Sequence, residues 1–121
     1  MSIPDTTELT VEDGTLIWRN DDFMISLAEA RAISQKISHR LDEVEAVLVD
    51  NRNADGTWPS EVNDHWPDLM AKMYDREIAC ATVSPSMTNA MQINRLSKKA
   101  GMDDLIRAYE ASDYEEALEF I

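Results

Sequence analysis

The sequence predicts a single α/β domain over residues 1–121, ordered β-β-α-β-α-β-α-β-α, with a mainly parallel sheet and one antiparallel edge strand. Three observations carry that expectation. Short apolar runs rich in β-branched residues alternate with amphipathic stretches of helical length, the pattern of strands joined by right-handed crossovers. A chain of 121 residues suits one hydrophobic core. An opening pair of alternating segments around Asp13-Gly14 supplies the antiparallel edge.

Taken in order, Thr7 to Val11 alternates in polarity, Asp13-Gly14 is a two-residue turn signal, and Thr15 to Arg19 reads as the second strand. Ser26 with Glu29 forms a capping box that opens a helix from about Leu27 to Leu41. Ala30, Ile33, Ile37 and Leu41 form its apolar stripe. Ala46 to Val49 is continuously apolar, as a strand covered on both faces requires. A loop from Asp50 to Pro59 leads to a helix over about Ser60 to Asp75, which Pro67 should kink or restart. Leu69, Met70 and Met73 are its expected buried side.

Ile78 to Val83 is the next buried strand. Ser84-Pro85 reads as an N-cap followed by proline at the first helical position. In the helix that follows, Met87, Ala90, Met91, Ile93 and Leu96 are expected to face the core, and Gly101 to end it. Leu105 to Tyr109 is the last strand, and Ser112 with Glu115 reads as a second capping box for a short terminal helix.

Composition excludes several classes. Eleven basic against 24 acidic residues give a formal net charge of −13, which disfavours a phosphate backbone as partner, so no nucleic acid is expected. The acidity reads as a solvated surface, with adaptation to a salt-rich host as the next explanation and a specific basic partner as the last. The single cysteine, Cys80, lies in an apolar run and reads as a small buried hydrophobe. The first residues lack a signal-peptide pattern, and no segment approaches the roughly 18 apolar residues of a bilayer span. A cytoplasmic protein without membrane insertion is the expectation.

No catalytic, metal or cofactor constellation stands out. Three glycines, Gly14, Gly56 and Gly101, are too dispersed for a phosphate loop. Asp50, Asp55, Asp64 and His65 lack the spacing of a calcium loop, and His65 has no second histidine one turn away for zinc. No cofactor and no enzyme activity are therefore expected.

The informative segment is the loop from Asp50 to Pro59, ten residues long where such connections are usually shorter. It leaves the carboxyl end of a buried strand and carries both Arg52 and Trp58, residue types favoured as anchors for another protein. Trp58 has two readings: a contact anchor, or a lid folded back on the core edge. Arg95, Lys98 and Lys99 form the one local basic cluster, at the end of the third helix, where they complement its negative pole or, on the alternative reading, offer a docking spot to an acidic partner.

The run Ala46-Val47-Leu48-Val49-Asp50, the helix opening Val83-Ser84-Pro85 and the ending Ser112 to Ile121 resemble the STAS domain, the SpoIIAA-like fold of anti-sigma-factor antagonists. The likeness is most evident to small bacterial SpoIIAA-like proteins of unassigned function. It implies a non-enzymatic switch or docking domain. In the antagonist branch a phosphorylatable serine follows the third strand in an Asp-x-Ser arrangement. Here Asp50 is followed by Asn51-Arg52, and the nearest hydroxyls are Thr57 and Ser60. Ser60 is thus the position to which a phosphosite expectation attaches, its other reading being an N-cap.

The functional expectation is a regulatory domain that contacts another protein, or a second copy of itself as a homodimer, through Asp50, Arg52, Asp55, Trp58 and Ser60. The alternative is a small-molecule or lipid-binding domain with a pocket under the same loop, lined by Trp58, Trp66 and Met70.

Overall fold

In the computed structural model, which describes residues 3–121, β1 (Thr7–Glu12) and β2 (Thr15–Asn20) form the opening hairpin. Asp13 (φ 49°) and Gly14 (φ 79°) both adopt the left-handed conformation that a two-residue hairpin turn requires. Next come α1 (Leu27–Arg40), β3 (Ala46–Asp50), α2 (Ser60–Asn63), α3 (Trp66–Asp75), β4 (Ala79–Ser84), α4 (Met87–Lys99), β5 (Ile106–Glu110) and α5 (Tyr114–Phe120). Single 3₁₀ turns occupy Leu41–Glu43 and Ala111–Asp113.

The sheet order is β1-β2-β3-β4-β5, antiparallel between β1 and β2 and parallel thereafter. This is the α/β architecture predicted from the alternation of elements. Strands β2 to β5 lie side by side in chain order. Crossovers of one hand between such strands must all pass over the same face. That face is where Leu16, Val47, Cys80 and Ile106 meet Ile33, Ile37, Leu69 and Met73. The opposite face carries Leu48, Ala81 and Val83, covered by α5 through Ala117 with Tyr109, Tyr114 and Phe120 alongside.

Local signals explain the element boundaries. Ser26 Oγ accepts from the Glu29 N–H at 3.1 Å while a Glu29 carboxylate oxygen accepts from the Ser26 N–H at 3.0 Å, so the first helix starts on its capping box. Pro67 falls at the start of α3, where its missing N–H leaves no helical bond unmade, and the segment splits into α2 and α3. Both α3 and α4 end in a six-residue double bond: Ile78 N–H to Met73 and Glu77 N–H to Tyr74, then Met102 N–H to Ser97 and Gly101 N–H to Lys98. The left-handed residue is Gly101 (φ 74°) in one case and Glu77 (φ 57°) in the other.

Three cap assignments need correction. Ser84 is the last residue of β4 and fully buried; the cap of α4 is Ser86, whose Oγ accepts from the Asn89 N–H at 3.2 Å. Pro85 therefore precedes the helix rather than opening it. Ser112 lies in the 3₁₀ turn and donates its hydroxyl to Glu110 at 3.2 Å, so no capping box starts α5. Ser60 is the first residue of α2 behind Pro59 and makes no cap bond.

The core face of α4 also differs from expectation. Met87, Met91 and Leu96 are 60, 55 and 55 % exposed, whereas Ala90 and Ser97 are buried. The cause is polar. β5 is an edge strand whose outer N–H and C=O groups need partners. Asn94 supplies both for Ala108, accepting from its N–H at 2.7 Å and donating to its C=O at 2.9 Å. Ser97 Oγ donates to the Ile106 carbonyl at 2.7 Å. These bonds turn α4 so that Ala90, Asn94 and Ser97 meet the sheet edge, and the methionines face outward.

Candidate functional site

The site begins with three tryptophans. Trp18 on β2 is 5 % exposed, and its ring meets Trp66 edge-on with centroids 5.0 Å apart. Trp58 meets Trp66 in the same way at 5.2 Å and leans on Phe23 at 4.4 Å. Offset and edge-to-face pairs of this kind favour the ring quadrupoles. Trp58 is thus half-buried against the core, on the cavity side of its loop.

The loop is stitched down rather than free. Asp55 N–H donates to the Asp21 carbonyl at 3.2 Å, and the Asp55 carbonyl accepts from the Phe23 N–H at 2.9 Å. Ala54, just ahead of these bonds, is buried. Gly56 (φ 80°) turns the chain where a Cβ would lie 3.0 Å from the Met24 side chain. Asn51, at the start of the loop, is 5 % exposed and belongs to a polar relay. Its Oδ1 accepts from Asn20 Nδ2 at 2.8 Å, and Asn20 Oδ1 accepts from Thr7 Oγ1 at 3.2 Å and Trp18 Nε1 at 3.1 Å.

Arg52 takes the other direction. Its guanidinium grips Asp50 at 3.0 and 2.9 Å and lies 3.8 Å from the Tyr114 ring centroid on α5. Burial pushes the Asp50 carboxyl upward, but hydrogen bonds and charge from Arg52, with Arg19 alongside, outweigh it and hold the group below its ordinary value. Arg52 and Trp58 therefore serve opposite faces of the sheet. Asp55 and Ser60 are exposed, and Asp50 is half-buried beside Arg52.

Between α3 and α4 lies an apolar cavity of about 400 Å³. Its floor is the sheet face at Trp18, Val49, Cys80, Thr82 and Ile106. Met70 and Met73 form one wall, and Ile93, Leu96 and Ala100 the other. Trp58, Trp66 and Asn51 close the end at the carboxyl rim of the strands, while Lys99 and Met102 stand at the opposite end. This volume lies in the range of small-molecule sites, which are mostly apolar with a few placed polar groups. Its existence follows from α4: a helix tethered to the sheet edge leaves the floor beside β4 and β5 uncovered.

Trp58, Trp66 and Met70 were legible in advance as a pocket lining. Asn51, Thr82, Leu96 and Lys99 were not. Asn51 had one signal, a polar amide directly behind a buried strand. Cys80 is fully buried on the floor, and burial raises its thiol to about 12, so it is a neutral wall and not a nucleophile. Among the described residues no three His, Cys, Asp or Glu side chains gather to hold a metal. His65 Nε2 instead shares a 2.7 Å hydrogen bond with Ser34 Oγ. Nor is any helix of the described residues long and apolar enough to cross a membrane.

The sheet order, the helices over one face and the terminal helix on the other give a SpoIIAA-like fold, as its likeness to three solved structures shows. The anti-sigma factor antagonist SpoIIAA in its unphosphorylated form superposes with a TM-score of 0.58 over 95 % of this chain and 97 % of its own, at 13 % identity. A protein described as a candidate anti-sigma factor antagonist from Thermotoga maritima gives 0.63 over 95 and 96 % at 12 % identity. An anti-sigma factor antagonist from Mycobacterium paratuberculosis gives 0.57 over 98 and 97 % at 19 % identity. No protein-family model and no curated protein matches the sequence.

Proposed function

We propose that this chain is a non-enzymatic, STAS-like regulatory domain whose signal is an apolar small molecule or lipid held in the cavity beneath the 50–59 loop. One observation carries the reading: the ring of Trp58 forms a wall of an apolar cavity of about 400 Å³ instead of projecting from the surface. Leu96 at the opening is 55 % exposed, an apolar group placed where a ligand would cover it. The burial of Cys80 supports a binding role over covalent chemistry. Work in the cytoplasm fits this reading.

Titration with n-decanol, followed by tryptophan fluorescence and amide chemical shifts, tests the proposal. Saturable one-to-one binding should move the signals of Trp58, Trp66 and Leu96. Ala100→Phe, at the exposed opening, should weaken it. Binding that does not saturate, or shifts scattered away from these residues, would sink the idea.

Contact with a protein is the second reading, favoured by the likeness to anti-sigma factor antagonists and by Met87 and Met91, exposed one helical turn apart on α4. Exposed Arg52, Asp55 and Ser60, with Asp50 beside them, would give that surface its charge pattern. The same surface serves a homodimer, which sedimentation of wild type against Met91→Glu detects. Ser60, exposed and free of a cap bond, is the site at which phosphorylation would be sought by mass spectrometry.

A further inference from the structure

The cavity's lining reaches from the amino to the carboxyl side of the sheet, and its two ends differ in chemistry. Cys80 on its floor lies level with Val47, whereas Asn51 at its other end stands beyond the end of β3. That separation is roughly 13 Å along the strand direction. At the carboxyl rim the lining is aromatic, with Trp58 and Trp66. At the amino rim it ends at Lys99, among the described residues the one charged side chain on the lining, with exposed Leu96 and Ala100 beside it. Among the described residues no carboxylate lines the cavity, although the chain carries 24 of them and a net charge of −13.

On a surface so acidic, an anion approaches only where cations offset the field locally. Lys98 and Arg95 stand with Lys99 on the last turns of α4, and Asp103 and Asp104, close to Tyr74, follow on the next turn, so the cations there work against nearby carboxylates. The helix pole at its C-terminus is negative and draws on the same cations, but Lys99 alone of the three reaches the lining.

We infer that the ligand is an unbranched or aromatic-ended monocarboxylic acid, its apolar body lying between α3 and α4 toward Trp58 and Trp66 and its carboxylate paired with Lys99. A free acid and the acidic head of a lipid share this chemistry. The inference rests on the ligand-binding reading above and adds the charge of the head group and its orientation.

Calorimetric titration of n-decanoate and n-decanol into wild type, Lys99→Gln and Lys99→Arg tests it. Lys99 is exposed at a helix end, so neither substitution disturbs the core. Lys99→Gln should raise the Kd of decanoate about fivefold and leave that of decanol within about twofold, and Lys99→Arg should restore decanoate binding. Equal loss for both probes, or no loss for either, overturns the assignment of the carboxylate to Lys99 while the cavity reading stands. Failure of both probes to bind wild type overturns the cavity reading and this inference with it. Vesicles carrying a monoanionic lipid, compared with free decanoate, distinguish the two sources of the acid.

Discussion

Asn20 Nδ2 donates to Asn51 Oδ1 at 2.8 Å, joining the ends of β2 and β3 across 31 residues of sequence inside the protein. Asn20 is 1 % exposed and also accepts from Thr7 and Trp18. Its removal strands three polar atoms in a place water reaches poorly. Asn20→Ala should therefore lower stability by about 3 kcal/mol in urea denaturation, since each buried orphan costs roughly 1–3 kcal/mol. A loss under about 1 kcal/mol would mean that water replaces the amide.

Trp58 supplies a second measurement. A contact anchor on the surface could be truncated at little cost, but this ring packs on Phe23 and Trp66. Trp58→Ala should destabilise the fold by about 3 kcal/mol, the scale of a buried aromatic truncation. An unchanged melting temperature would return the ring to the surface.

The pairing of Asp50 with Arg52 predicts a pH dependence. The carboxyl titrates below its ordinary value of 3.8, so the unfolded chain binds the proton first as pH falls. The pair's contribution is complete above the unfolded-state value and disappears as pH drops through the lower folded-state value. Asp50→Asn should thus cost no more than about 1 kcal/mol at neutral pH, because the Arg52 side chain is 36 % exposed. The gap between variant and wild type should close in acid. A gap that persists there would show that the amide disturbs the loop itself.

Asn94 substitutes for a neighbouring strand at Ala108. Asn94→Ala should cost about 1–2 kcal/mol and speed hydrogen exchange at the Ala108 amide, with increased self-association as the edge opens. Unaltered protection at Ala108 would show that the edge is held by other means.

Glu77 sits at the left-handed position that glycine fills at the end of α4. Glu77→Gly should raise stability by about 1 kcal/mol, the penalty a Cβ suffers in that conformation. Thermal denaturation reads the sign directly.

The contrast between what was legible and what was not follows the range of the interactions. The Asp13-Gly14 turn, the Ser26–Glu29 box and the break at Pro67 act over a few residues, and the structure keeps all three. The mainly parallel sheet with one antiparallel edge strand followed from the alternation of elements, because right-handed crossovers leave few arrangements; the order of strands within the sheet did not. Ser84 and Ser112 carried equally good local signals, yet the sheet extends to Ser84 and a 3₁₀ turn takes Ser112. The outward face of Met87 and Met91 was set by Asn94 and Ser97 bonding a strand that follows them, which apolar periodicity does not register. For the candidate site, Trp58, Trp66 and Met70 were visible as large apolar groups near one loop. Lys99 and Thr82 join them only because α3, β4 and α4 converge, and the Asp22–Asp55 bridge that folds the loop inward has no local trace.

One consequence of the way α4 is moored concerns how the protein tolerates change. Three polar tethers to β5, not the girth of aliphatic side chains, set the gap between that helix and its neighbour across the sheet. Trimming or enlarging Met70, Ile93 or Leu96 would then reshape the cleft while the spacing of its helices holds. Relatives could diversify in what they accommodate with no rebuilding of the scaffold.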